Sequence, residues 1–158
     1  MLFRSDEFNK FLGENSYSLK QIMNVDETGL CWKRLPNRTF ISKSIKSCGG
    51  YKVDKERLTL LLGGNAEGDF KFKPYLIYKS QNPRAMKKIN KDKLGVHWRS
   101  NIKAWMTASL FVDWVNKCCI SELKLYSKRK NLDFKFIILL DNAPSSMRIS
   151  FMVVIPLI

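Results

Sequence analysis

The apolar positions along this 158-residue chain change period several times. Residues 5–13 predict a short helix: Phe8, Phe11 and Leu12 share a face, Ser5 can cap it, Asp6 and Glu7 suit the positive end of its dipole, and Gly13 can end it. Residues 19–26 predict a strand that ends in acids, with turns at Gly29 and at Leu35-Pro36-Asn37. A short strand over 39–42 and a polar loop over 43–50 follow. Residues 57–62 form a strong strand pattern closed by Gly63-Gly64-Asn65. Residues 71–78 alternate basic and apolar side chains, a further strand, and 80–94 form a basic loop broken by Pro83. The clearest helical spacing covers 101–117, through Ile102, Trp105, Met106, Ser109, Leu110, Val112 and Val115. A second helix is predicted over 121–130. Residues 134–140 are almost wholly apolar, as in a strand buried on both faces, and the run stops at Asp141. No internal repeat or Gly/Ser linker interrupts the pattern, so one α/β domain is expected.

Two of the predicted strands end in carboxylates, at Asp26-Glu27 and at Asp141. A charge at the tip of an apolar strand is costly unless it is paired or binds a metal. If the strands are neighbours, Asp26 and Asp141 converge at one edge of a sheet, and paired carboxylates are hard oxygen ligands for Mg2+ or Mn2+. Two such ions about 3.5–4 Å apart activate water and stabilise the leaving oxygen in phosphodiester cleavage. On residue types alone a plainer reading stays open. Asp141-Asn142-Ala143-Pro144 can be a simple turn, and Asp26 can accept hydrogen bonds from the Thr28-Gly29 backbone.

Charge changes the picture more than composition does. The 45% apolar content is that of a folded globular protein. Lys and Arg total 28 against 14 acids, a net charge of +14. The excess is concentrated in residues 71–103, which hold ten basic side chains and one acid, Asp92. Lys79, Arg84, Lys87, Lys88, Lys91, Lys93 and Arg99 are the candidates for contacts with a nucleic-acid backbone. A solvated basic face is the competing reading. Trp98 and Trp105 lie nearby and can stack on bases, although the spacing of Trp105 predicts a core position. The basic segment has no clean amphipathic helix for an anionic membrane surface. The apolar run at 151–158 is far shorter than the roughly 20 residues a membrane span needs. Asp6 and Glu7 stand where a signal peptide would be apolar, so an intracellular protein is expected. Cys31, Cys48, Cys118 and Cys119 form no CxxC pair and are expected to be reduced thiols. The single His97 has no cysteine at zinc-ligand spacing, and it offers little to a Ser–His or Cys–His scheme. It is expected to serve packing or the surface.

Five segments, in order, carry a resemblance. They are Ile22-Met23-Asn24-Val25-Asp26-Glu27-Thr28-Gly29-Leu30-Cys31-Trp32-Lys33-Arg34-Leu35-Pro36, the run over 55–68, and 73–80 with Asn82-Pro83-Arg84. Lys103-Ala104-Trp105-Met106-Thr107 with Phe111 and Trp114 follows, and then Leu139-Leu140-Asp141-Asn142-Ala143-Pro144-Ser145. Over about residues 1–145 the chain resembles the DDE superfamily endonuclease domain of the Tigger and pogo transposable-element-derived proteins, a group that includes jerky and centromere protein B relatives.

The resemblance implies an RNase H-like fold, a mixed sheet flanked by helices, with its last elements missing. It implies catalytic and metal-binding roles for Asp26 on the first strand and for Asp141 after the fourth, with Glu27 only a neighbour. It also implies Mg2+ or Mn2+ as cofactor, DNA as partner rather than a small-molecule substrate, and the nucleus as the site of action. Residues 1–18 read as a lead-in helix and linker, 19–145 as the partial catalytic domain, and 146–158 as a divergent apolar tail. Ser145-Ser146 replaces the small residue and histidine usual in the family, and no Asp or Glu follows Asp141 to supply the third acid. A catalytically degenerate DNA-binding domain is therefore expected. The alternatives are an active metal-dependent endonuclease and a non-enzymatic interaction module or transposon remnant. The stretch 151–155 can act as a substitute edge strand.

Overall fold

The computed structural model describes residues 5–32, 56–140 and 153–155. Its centre is a mixed sheet of six strands: β1 (Ile22–Cys31), β2 (Arg57–Asn65), β3 (Tyr75–Tyr78), β4 (His97–Ser100), β5 (Phe136–Leu140) and β6 (Val153–Ile155). Their spatial order is β4-β3-β2-β1-β5-β6. β1, β2 and β3 are antiparallel neighbours, while β5 lies parallel to β1 on its other side. A three-strand antiparallel meander whose first strand is then joined by a parallel strand after a helical crossover is the RNase H-like arrangement. The helices are α1 (Ser5–Asn15), α2 (Ala108–Trp114) and α3 (Ile120–Lys130), the last two joined by a π-helical turn, Val115–Cys119.

The sheet side chains alternate faces, as strand geometry requires. Met23 and Val25 of β1, Leu61 of β2, Tyr75 and Ile77 of β3, and Phe136 and Ile138 of β5 share one buried cluster with Trp114, Leu123 and Tyr126 of the helices. Each such large side chain removed from water contributes about 1.5–3 kcal/mol. α3 ends at Asn131, whose left-handed backbone (φ 53°) caps the helix after Lys128, Arg129 and Lys130, three cations suited to its negative end. Among the described residues no helix is long and apolar enough to cross a membrane.

Several expectations change. β1 does not end at Asp26 but runs on to Cys31, and Gly29 lies within it rather than in a turn, paired with Thr59. β2 likewise continues through Gly63 and Gly64. A Cβ on Gly63 would lie 2.6 Å from the Asn24 carbonyl oxygen and 2.8 Å from Val25 Cγ2, so glycine is what lets β1 and β2 approach there. The expected strand over 71–78 is regular only from Tyr75, with one isolated bridge between Lys71 and Gly64. His97–Ser100, for which no strand was expected, form β4 parallel to β3.

The largest difference is at 101–107, which is not helical. The Asn101 side chain accepts the Trp105 N–H at 3.0 Å and donates to its carbonyl, Ala104 takes a left-handed backbone (φ 49°), and Thr59 Oγ1 donates to the Ala104 carbonyl at 2.8 Å. These local bonds satisfy the backbone without a helix, as Asn side chains commonly do. The helix starts where Thr107 caps it by accepting the Leu110 N–H. The tail supplies the expected edge strand: Val153–Ile155 pairs antiparallel with β5. The expected turn at 35–37, strand at 39–42 and loop at 43–50 lie outside the described residues.

Candidate functional site

β1 and β5 run parallel from the pair Ile22–Ile137 to the pair Val25–Leu140. Asp26 is the next residue of β1 and is exposed; across β2 it is paired with Leu62. Its Oδ1 accepts the Glu27 N–H at 2.6 Å. Glu27 alternates to the other face, opposite Leu61, and is half-buried. Burial pushes the Glu27 carboxyl above its ordinary range, and the adjacent Asp26 pushes it the same way. Among the described residues neither acid is in an ion pair with a lysine or arginine. Asp141, the second expected acid, follows Leu140 in sequence and lies outside the described residues. Among the described residues no three His, Cys, Asp or Glu side chains gather into a metal-sized cluster.

The basic candidates divide into two sets. Arg84, Lys87, Lys88 and Lys93 are exposed on the loop between β3 and β4, and no described acid pairs with them. Lys91, on the same loop, donates to Asn82 Oδ1 at 2.8 Å. Lys79 forms an ion pair with Glu56. Arg99 is held in the fold: its Nε lies 2.7 Å from Asp113 Oδ2 and its guanidinium stacks 5.5 Å from the Tyr75 ring centroid. Asp113 is held down to about 2: burial pushes it up, but hydrogen bonds from Lys117, Arg99 and Tyr75 outweigh that push. His97 is structural, as expected. It lies 2.7 Å from Glu122 Oε1, and Glu122 Oε2 accepts the Lys73 N–H at 2.9 Å, so the carboxylate ties α3 to the sheet.

The two tryptophans considered for stacking exchange places. Trp98 is 9% exposed, packed beside Tyr78. Trp105, expected in the core, is 39% exposed, with the Arg57 guanidinium 4.2 Å from its ring centroid. Helical spacing misplaced it, and the signal that finds it is Asn101 four residues earlier, whose amide captures the Trp105 backbone.

A mixed sheet of this order, with an exposed carboxylate just past the last parallel pair of its central strand, defines an RNase H-like domain. The chain belongs to the DDE superfamily endonucleases, whose family profile matches residues 55–154, and to the Tigger- and pogo-related proteins within them. It is 41% identical over 103 residues to "Tigger transposable element-derived protein 4" of Mus musculus, covering 65% of this chain and 20% of that protein. It is 34% identical over 138 residues to "Jerky protein homolog" of Homo sapiens, covering 86% of this chain and 24% of that protein. It is 40% identical over 98 residues to "CENP-B homolog protein 2" of Schizosaccharomyces pombe, covering 61% of this chain and 18% of that protein. The chain thus spans about a fifth to a quarter of the length of these relatives. No solved structure matches it.

Proposed function

We propose that this chain is a DNA-binding DDE domain in which Asp26 and Asp141 are the carboxylates for Mg2+ or Mn2+, acting in the nucleus. The observation that carries this reading is the β1–β5 register. Leu140 is the partner of Val25, and a trans peptide keeps Asp141 Cα about 3.8 Å from Leu140 Cα. One further step of the same parallel ladder, were it taken, would set Asp141 opposite Asp26. An exposed carboxylate with no cation partner among the described residues suits a hard ion, which can keep several waters when one or two carboxylates hold it. Bound there, the ion would supply an activated water and charge stabilisation at a phosphodiester. Asp26 would orient the ion, and Arg84, Lys87, Lys88, Lys91 and Lys93 would hold the phosphate backbone.

The reading tested first is binding without cleavage. The test is anisotropy of a labelled duplex. Affinity should fall at least tenfold between about 50 and 200 mM salt if several phosphates are contacted. Charge reversal at Lys87, Lys88, Lys91 and Lys93 should weaken binding to all sequences alike, because phosphate contacts carry no base code. Affinity that ignores salt would remove the electrostatic reading. Mg2+-dependent nicking lost in Asp26→Ala would replace the expectation of binding without cleavage with an active endonuclease.

A further inference from the structure

The loop after β4 holds an aromatic surface that is exposed among the described residues. Ile102 is 94% exposed, Lys103 is exposed, and Trp105 keeps 39% of its surface in contact with solvent. The loop is nevertheless fixed. Asn101 brackets the Trp105 backbone from both sides, the Ala104 N–H donates to the Asn101 carbonyl at 2.9 Å, and Thr59 anchors the buried Ala104 at 2.8 Å. Ala104 is held at a positive φ of 49°, a conformation that costs a non-glycine residue on the order of 1 kcal/mol and persists only where its surroundings enforce it. Strain maintained in order to present a large apolar ring to water points to a ligand for that ring.

The neighbours define the ligand. The Arg57 guanidinium lies 4.2 Å from the Trp105 ring centroid, and Lys103, two residues before Trp105, is exposed on the same loop. The nearby carboxylate Glu56 is engaged by Lys79. An exposed indole with a planar guanidinium beside its ring and a lysine on its loop matches a nucleobase with its phosphate, since bases stack on aromatic rings while cations meet the backbone. The bases of an intact duplex are already stacked on each other, so the fit is to an unpaired one. Arg57 is paired with Cys31, the last residue of β1, so the surface lies at the end of the sheet toward which β1 runs past Asp26. The rise of β2 from Arg57 to Leu62, the partner of Asp26, is about 17 Å.

We propose that Trp105, with Arg57 and Lys103, is a stacking subsite for an unpaired nucleobase of a DNA strand that leaves the candidate active site. This rests on the DNA-binding reading and deepens it. The test compares three labelled probes by anisotropy: a single-stranded oligonucleotide, the same strand with central abasic residues, and a blunt duplex. The wild-type chain should bind the base-bearing strand about tenfold more tightly than its abasic counterpart. Trp105→Ala should erase that ratio, Trp105→Phe should restore part of it, and duplex affinity should stay within twofold in both. Equal wild-type affinity for base-bearing and abasic strands overturns the subsite even if Trp105→Ala fails to fold. Loss of duplex and single-strand affinity in equal proportion in Trp105→Ala also overturns it. Failure of the DNA-binding reading looks different, because duplex binding would then be absent or indifferent to salt in the wild-type chain.

Discussion

Two carboxylate groups on this domain are treated in opposite ways. Asp113, on α2, is surrounded by donors: Arg99 at 2.7 Å, Lys117 at 2.6 Å and the Tyr75 hydroxyl at 3.0 Å. It joins the helix layer to two strands, and its charge is fully answered. Asp26 and Glu27, on β1, sit side by side with no described cation paired to either, and the Glu27 carboxyl is pushed up rather than down. Asp113 is thus thoroughly paired, while among the described residues Asp26 and Glu27 are not, and the proposed ion-binding role of Asp26 rests on that difference.

The contrast breaks most sharply at Asp113. Asp113→Asn removes a hydrogen-bonded anion that is about one-fifth exposed, and should cost about 2 kcal/mol in urea unfolding at pH 7. The sign with pH follows from the lowered folded value of about 2. The carboxylate contributes its full stability above the unfolded value of about 4, and loses it as pH falls through about 2. The gap between wild type and Asp113→Asn should therefore be widest above pH 4 and close toward pH 2. A constant gap across that window would mean that the network does not act through charge.

Glu27 should give a smaller effect of opposite sign. Its folded value is raised, so the charged carboxylate costs stability at neutral pH and the cost vanishes below the unfolded value of about 4.3. Glu27→Gln should raise Tm slightly at pH 7 and leave it unchanged near pH 3.5. A lowered Tm at pH 7 would show that Glu27 has a stabilising partner.

How much of this was legible in the sequence depended on which force dominated each segment. β5 was readable because Phe136, Ile137 and Ile138 are buried without exception, and a continuous apolar run of strand length has few alternatives. β1 was readable at Met23 and Val25 but not past Asp26, because Gly29 suggests a turn when its strand partner, Thr59, is 30 residues away in sequence. Gly63 misled in the same way, since its reason is a close approach to the Asn24 carbonyl that no local pattern records. The 101–107 loop failed as a helix because Ile102, Trp105 and Met106 fit the helical period while Asn101 and Thr107 compete for the backbone. Arg99 belonged to the basic segment by sequence, but the Asp113 carboxylate, 14 residues later in the chain and 2.7 Å away in the fold, holds it against the helix layer instead. Asp26 was chosen for its place at the tip of an apolar run. The strand itself runs on, and Asp26 lies exposed just past the last β1–β5 pair.

The central claim is the proposal that Asp26 and Asp141 hold a divalent ion, and Mn2+ titration followed by electron paramagnetic resonance tests it most directly. The wild-type chain should remove free Mn2+ from solution at a saturable site, Asp26→Asn and Asp141→Asn should each abolish that site, and Asp113→Asn should leave it intact. Mn2+ binding that persists unchanged in both Asp26→Asn and Asp141→Asn would contradict the account.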